Sequence, residues 1–224
     1  MQSPEFHGHG LHIHIRTTIV EDKYSFIEAS AVRLGQTTIE FHYDTLVLDN
    51  VEYNYQSLPL LFESGGHEYS IVDASTDSHR LIKVILDDGA SISVRSTKHF
   101  MTVNLEGSAL HFGTSQGLLG DYHTGELLGR NSQLITDTND FGMEWQVLPG
   151  EALFSESRSP QLPYERCRMP STSFTKFSRR KLRSAEETEL FNKATEACNG
   201  VLDLDLCIQD VMATGEVAMA DMFV

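Results

Sequence analysis

The feature that most constrains this chain is the short-period alternation that fills its first half. "LHIHIRTTI", Leu11 to Ile19, sets Leu11, Ile13 and Ile15 on one side and His12, His14 and Arg16 on the other. A period of two marks a half-buried β-strand. "YSFIEASAVRL" and "TTIEFHY" repeat the theme, and "RLIKVILDDGASISVRS" reads as a hairpin around Asp88-Gly89. "FMTVNL" and "SALHF" read as further strands around Glu106-Gly107. Strands this short and closely spaced exclude a βαβ fold. They predict a mainly β chain of antiparallel, β-sandwich-like sheets.

The character changes near Pro149. "FSESRSPQLPYERCRMPSTSF" is rich in proline and serine and reads as an extended linker or a segment draped over the sheet. Helix is expected after it. Ser184 and Glu187 make a capping box, and Leu190, Phe191, Ala194, Ala197 and Cys198 form a stripe of helical period. A second helix is expected over Leu204 to Ala213, with Gly215 as its stop. The chain thus divides into a β domain over 1–150, a linker over 151–183 and a small helical, cysteine-bearing region over 184–224.

Charge narrows the partners. The 224 residues carry a formal net charge of −15, which argues against nucleic acid and anionic membrane surfaces. No apolar run approaches the roughly 20 residues of a membrane span, so no membrane insertion is expected. The opening "MQSPEFHGHG" lacks the basic start and apolar stretch of a signal peptide. Three cysteines, Cys167, Cys198 and Cys207, are too few and too uneven for a disulfide scaffold. Cys198 and Cys207 either pair or lie as two buried thiols, and both readings stand.

"GLLGDYHTGELLGR", Gly117 to Arg130, looks chemical at first sight. It lacks the lysine of a phosphate-binding loop, and its β surroundings do not suit a dinucleotide loop. Among the histidines, His12 and His14 share a strand face and are placed to chelate zinc or copper, with His7 or His9 added from the arm before them. The competing reading is an exposed polar strand face. No serine stands in Gly-x-Ser-x-Gly, and Cys167, between Arg166 and Arg168, has no histidine near it in sequence. Asp203 and Asp205 in "LDLDLC" read as an acid pair or, more simply, as acids of a helix's first turn. No catalytic motif emerges, and a non-enzyme is expected.

The glycine turn gains meaning from "DTNDFGMEWQV", Asp137 to Val147, read as a strand. Together they resemble the von Willebrand factor type D (VWFD) family, through Gly117, Leu118, Gly120, Tyr122, Asp140, Phe141 and Trp145. "EACNGVLDLDLCIQDVMATG" is similar to the cysteine-bearing region that often follows in that family, through Ala197, Cys198, Cys207, Asp210 and Val211. "LHIHIRT" looks like an interior strand of cysteine-poor members. The family's opening Gly-Asp-Pro-His has no counterpart here, so the chain reads as starting one or two strands into the domain.

The resemblance implies a non-catalytic module for adhesion or matrix assembly, extracellular or at the cell surface, with other extracellular proteins or glycans as partners. It leaves self-association open. The rival readings are a secreted carbohydrate binder or hydrolase on a β-sandwich, and an inactive structural fragment. In an exported protein Cys198 and Cys207 are expected to bridge the two C-terminal helices, with Cys167 unpartnered in this chain. The family's calcium loop is depleted here: Asp121, Glu126 and Asn131 remain, Leu119 replaces the turn's cysteine, and His123 and Arg130 stand at ligand positions. No cofactor is expected, with calcium as the alternative. Two further expectations follow: Arg130 pairs with Asp121 or Asp140 in place of the ion, or else lies exposed on a solvated turn, and Trp145 is buried against the β-core.

Overall fold

A computed structural model describes residues 1–20, 24–76, 79–87, 89–97, 100–148, 150–156 and 184–223. The strands are β1 (Gln2–Ser3), β2 (Leu11–Val20), β3 (Tyr24–Leu34), β4 (Thr37–Phe41), β5 (Thr45–Leu48), β6 (Val51–Asn54), β7 (Leu60–Ser64), β8 (His67–Asp73), β9 (Arg80–Asp87), β10 (Ala90–Thr97) and β11 (Phe100–Glu106). They form one antiparallel sheet in the order β6-β5-β4-β3-β11-β10-β9-β8-β7. β2 pairs with β3 along its length and with the two-residue β1 on its other side.

β3 explains the shape. Its 11 residues carry β2 along one edge. The other edge holds β4 against Ser30 to Leu34 and β11 through Met101 opposite Ile27. The sheet therefore splits into two wings, which curl toward each other around one core. Ile39, Phe41 and Leu46 from one wing and Ile71, Val84 and Ile92 from the other belong to the same buried cluster. Burying each such side chain stabilises the fold by roughly 1.5–3 kcal/mol before chain entropy is counted.

The local patterning accounts for most of these strands. Leu11 and Ile13 point into the core, but Ile15 is partly exposed, next to the register shift between Arg16 and Thr17. In the β9–β10 hairpin, Asp87 opposes Ala90. Gly89 takes φ +85°, a left-handed conformation that glycine adopts without steric cost; Asp88 lies outside the described residues.

"SALHF" departs from expectation. It is a helical turn, α1 (Ala109–Phe112), not a strand. Ser108 sets it: its hydroxyl accepts from the Leu110 N–H at 3.2 Å and its carbonyl from the His111 N–H at 3.0 Å. Five alternating residues cannot outweigh a serine cap that drops Phe112 into the core.

The C-terminal region follows its caps. α3 (Ala185–Ala197) begins with the full Ser184–Glu187 capping box. α4 (Leu204–Thr214) begins with Asp203, whose carboxylate accepts from the Leu206 N–H at 3.0 Å. It ends on Gly215 at φ +75°. Asp203 and Asp205 are thus cap and first-turn acids. Cys198 and Cys207 form a disulfide with their Cα atoms 5.9 Å apart, joining the end of α3 to α4. Ala194, Ile208, Val211 and Ala220 close a second small core around it. This unit docks on β10, where Arg95 donates to the Asp221 carbonyl at 2.9 Å.

The proline- and serine-rich segment is described through residue 156. Its start lies over the sheet: Ser155 donates its N–H to buried Glu40 at 2.7 Å, and Arg16 stacks 4.1 Å from the Phe154 ring. Cys167, with its flanking arginines, lies outside the described residues.

Candidate functional site

Two places gather side chains that the sequence singles out. The first is the glycine turn. Gly117, at φ +134°, packs so close to the chain's first residue that a Cβ would sit 2.7 Å from Met1 Cα. Gln2 and Gln116 exchange backbone hydrogen bonds of 2.7 and 2.8 Å beside it. Gly120, at φ +75°, faces the Glu126 carbonyl, which a Cβ would approach to 3.1 Å. Both positions therefore need glycine. Leu118 and Leu119, held between them, are 45% and 63% exposed. Tyr122 anchors the turn, its hydroxyl donating to the Gly107 carbonyl at 2.8 Å and its ring 5.5 Å from Phe112.

The oxygens of this turn serve the turn itself. Asp121 Oδ1 accepts the Thr124 N–H at 2.8 Å, the His123 N–H at 2.9 Å and the Thr124 hydroxyl at 3.1 Å. The Thr124 backbone bond, first among these, holds the Asp121 carboxyl below its ordinary range. Among the described residues, the Glu126 carboxylate accepts from the same hydroxyl, at 3.3 Å. Asn131 is engaged separately, with Gln133. Calcium needs six to eight converging oxygens. The candidates Asp121, Glu126 and Asn131 do not present such a set, so the residues present do not fit the ion.

Arg130 corrects its expectation. It pairs with neither Asp121 nor Asp140. Its Nε donates to the Glu144 carbonyl at 2.9 Å and its Nη2 to the Gln146 carbonyl at 3.1 Å, with Glu151 Oε2 3.4 Å away. The reason is a helix where a strand was expected. "TNDFGME" forms α2 (Thr138–Glu144), with Asp137 as its cap, accepting from the Asn139 and Asp140 N–H groups. A helix leaves its last carbonyls without partners and carries partial negative charge there. The guanidinium fork fills that end, while Asp140 stands in the first turn at the other.

Trp145 follows from the same change. It caps the C-terminus of α2 and is 8% exposed. Its Nε1 donates to the Leu128 carbonyl at 2.9 Å, and the Arg130 guanidinium lies 5.1 Å from its ring. It is buried, but the main sheet core includes neither Trp145 nor Phe141. Residues four apart share a helical face as readily as alternate residues share a strand face, so Phe141 and Trp145 misled the strand reading.

The second place is histidine-rich, and its members differ from those expected. His14 is buried, not part of an exposed polar face. Burial, then the chain's amino group, His12 and Arg33, push its pKa down to about 4 against a small opposing effect of Glu151. Burial and then Arg33 also lower His12. Positive neighbours make the His12–His14 pair a poor seat for a cation.

His7, His9 and His67 come together instead, each offering a nitrogen within 4.8 Å of the others. A 3-10 turn, Phe6–Gly8, holds His7 in the left-handed region at φ 47°. Its ring stacks between Phe6, at 4.1 Å, and His67, at 4.5 Å between centroids. His9 packs onto two glycine turns. A Cβ on Gly65 would meet His9 Cδ2 at 2.0 Å, and one on Gly35 would meet Nδ1 at 3.1 Å. His67 opens β8, and Tyr69, two residues on, shares its face. The Tyr69 hydroxyl lies 3.0 Å from His7 Nδ1 and 2.8 Å from His9 Nε2. Sequence reasoning included His7 and His9 but missed His67, 58 residues beyond His9. Its only local signal is the double-glycine turn Gly65-Gly66 before it.

A third concave place is lined by Tyr43, Tyr55, Asp73, His79 and Arg80. The Arg80 guanidinium lies 4.7 Å from the Tyr55 ring and 5.6 Å from that of Tyr43.

No helix among the described residues is long and apolar enough to cross a membrane. Comparison with protein-family models and with curated proteins finds no match for this chain.

Proposed function

We propose that this chain is a non-catalytic interaction module of VWFD type that works in adhesion or matrix assembly outside the cell. The observation that carries this reading is the glycine turn. Its two glycines and Tyr122 hold the backbone in one conformation, and it presents Leu118 and Leu119 to solvent. A pre-organised loop tip with exposed apolar side chains suits protein contact, because little ordering entropy is lost on binding. The Cys198–Cys207 disulfide supports an oxidising compartment. The −15 net charge favours partners with basic surfaces.

A second reading, carbohydrate binding, is favoured by the Tyr43–Tyr55–Arg80 cleft, where a half-exposed tyrosine ring stands beside polar groups. One experiment separates the two. Binding of the purified protein to extracellular matrix from its own source and to a glycan array is compared with that of Leu118→Asp/Leu119→Asp and Tyr43→Ala variants. Loss of matrix binding in the leucine variant alone supports the module. Matrix binding untouched by the leucine changes, with glycan binding lost in Tyr43→Ala, replaces it with the second reading.

A further inference from the structure

We propose that His7, His9 and His67, with the Tyr69 hydroxyl at the fourth corner, bind one divalent transition-metal ion of the zinc and copper class. This site is independent of the turn that carries the interaction reading.

The donor chemistry selects the ion. Imidazole nitrogen suits zinc and copper(II), whereas calcium and magnesium require oxygen. The spacing suits it too. Around an ion with bonds of about 2.0–2.1 Å, adjacent tetrahedral ligands lie about 3.3 Å apart. Tyr69 Oη is hydrogen-bonded to His7 Nδ1 and His9 Nε2 at 3.0 and 2.8 Å, so the donors already stand near that spacing, and a bound ion replaces these two bonds with release of the shared proton to solvent. The widest nitrogen separation in the histidine group is within 4.8 Å. His67 is exposed at the start of β8, and its ring, stacked on His7 at 4.5 Å, has to rotate out of that stack to aim a nitrogen at the shared ion.

The surroundings are built rather than incidental. His9 occupies space that any side chain at Gly65 would fill, since a Cβ there would overlap its ring. His7 is held at φ 47°, a backbone state disfavoured for a residue with a side chain. Tyr69 is almost fully buried, so its hydroxyl position is set by the sheet. The site joins the 3-10 turn before β2 to the β7–β8 hairpin at the far end of the sheet order. A metal there ties the arm before β2, which branches off β3 in the middle of the sheet order, to the terminal β7–β8 hairpin and acts as a structural staple.

The test uses the whole chain, stripped with chelator and titrated with zinc chloride by calorimetry, with cobalt(II) as a spectroscopic probe. The expected result is one ion per chain, visible bands of a tetrahedral cobalt site, and a raised melting temperature with zinc. His67→Ala, chosen because the side chain is exposed, is expected to weaken binding at least about tenfold in a protein that still folds by circular dichroism. Tyr69→Phe is expected to weaken it while keeping the stoichiometry. His12→Gln is expected to leave affinity unchanged. No binding by the folded wild-type protein overturns the proposal. So does binding that survives His67→Ala but is lost in His12→Gln, which would return the site to the β2 pair.

Discussion

Replacing Trp145 with alanine tests how the end of α2 is held against the segment that follows the glycine turn. Trp145 is the only tryptophan and is 8% exposed. A buried tryptophan removes roughly 150–250 Å² from water, worth about 4–6 kcal/mol at 25 cal/mol/Å². Compactness of the unfolded chain lowers that by roughly 10–40%. The substitution also leaves the Leu128 carbonyl without its 2.9 Å partner, about 1 kcal/mol, and removes the Arg130 stacking, about 0.5–1 kcal/mol. Partial collapse of the site offsets some of this. A net cost of about 3–5 kcal/mol is expected.

The cost should fall on one region. Trp145 stands outside the main sheet core, so Trp145→Ala is expected to open residues 117–148 while β9, β10 and β11 keep their pairing. Hydrogen exchange followed by mass spectrometry reads this directly. Faster exchange confined to 117–148 agrees. Equal acceleration across the β9–β11 amides would show that the tryptophan belongs to the global core. In the wild type, solvent-like tryptophan emission with full iodide quenching would refute its burial outright.

The Cys198–Cys207 disulfide closes a short loop, and Cys207→Ser is expected to destabilise the α3–α4 unit by about 3 kcal/mol, measured by denaturant melts with and without reductant. Indifference of the C-terminal helices to reduction would show that packing alone holds them. Arg130→Met removes two carbonyl bonds and the Glu151 contact, with an expected loss of about 2 kcal/mol, whereas Asp140→Asn, distant from the guanidinium, is expected to stay within about 0.5 kcal/mol. Millimolar calcium against chelator is expected to leave the melting temperature unchanged, and a rise of several degrees would reveal a working calcium loop. His14 has its pKa lowered from 6.5 to about 4. A depressed histidine favours the neutral ring, so its stability contribution is full above pH 6.5 and is lost as pH falls toward about 4. With allowance for solvent at the ring that loss is about 2 kcal/mol. His14→Val is expected to flatten the slope in that window, and an unchanged pH profile would refute the burial argument.

The legible parts of this chain are those whose signal is local. β9 shows as alternation because Ile82, Val84 and Leu86 face the core while Ile85 does not, whereas β10 is buried along nearly its whole length and is marked by its hairpin turn instead. The α3 capping box and the Gly215 stop show because caps are short-range hydrogen bonds between neighbours in sequence. Where two local patterns coincide, reading fails. Phe141 and Trp145 fit strand and helix equally, and the deciding term is Asp137, whose carboxylate accepts two N–H groups and starts α2. That one error carried Arg130 with it. Its partners are the carbonyls at a helix end that a strand would not have possessed.

The histidines show the other limit. "HGHGLHIH" is visible as a cluster, but which members converge depends on the curl of the sheet. Along β2, His12 and His14 are neighbours by pleat, and burial together with nearby positive charge makes that pair unfavourable to a cation. His7 and His9 leave the strand direction through three positive-φ positions, at His7, Gly8 and Gly10, and turn toward the β7–β8 hairpin. Gly35 and Gly65 make room for His9 only because the turns of the two wings meet beneath it. His67 then arrives from a strand four positions beyond β3 in the sheet order. Proximity at this site is thus a property of closure, and the two-wing branching at β3 is the feature that brings it about.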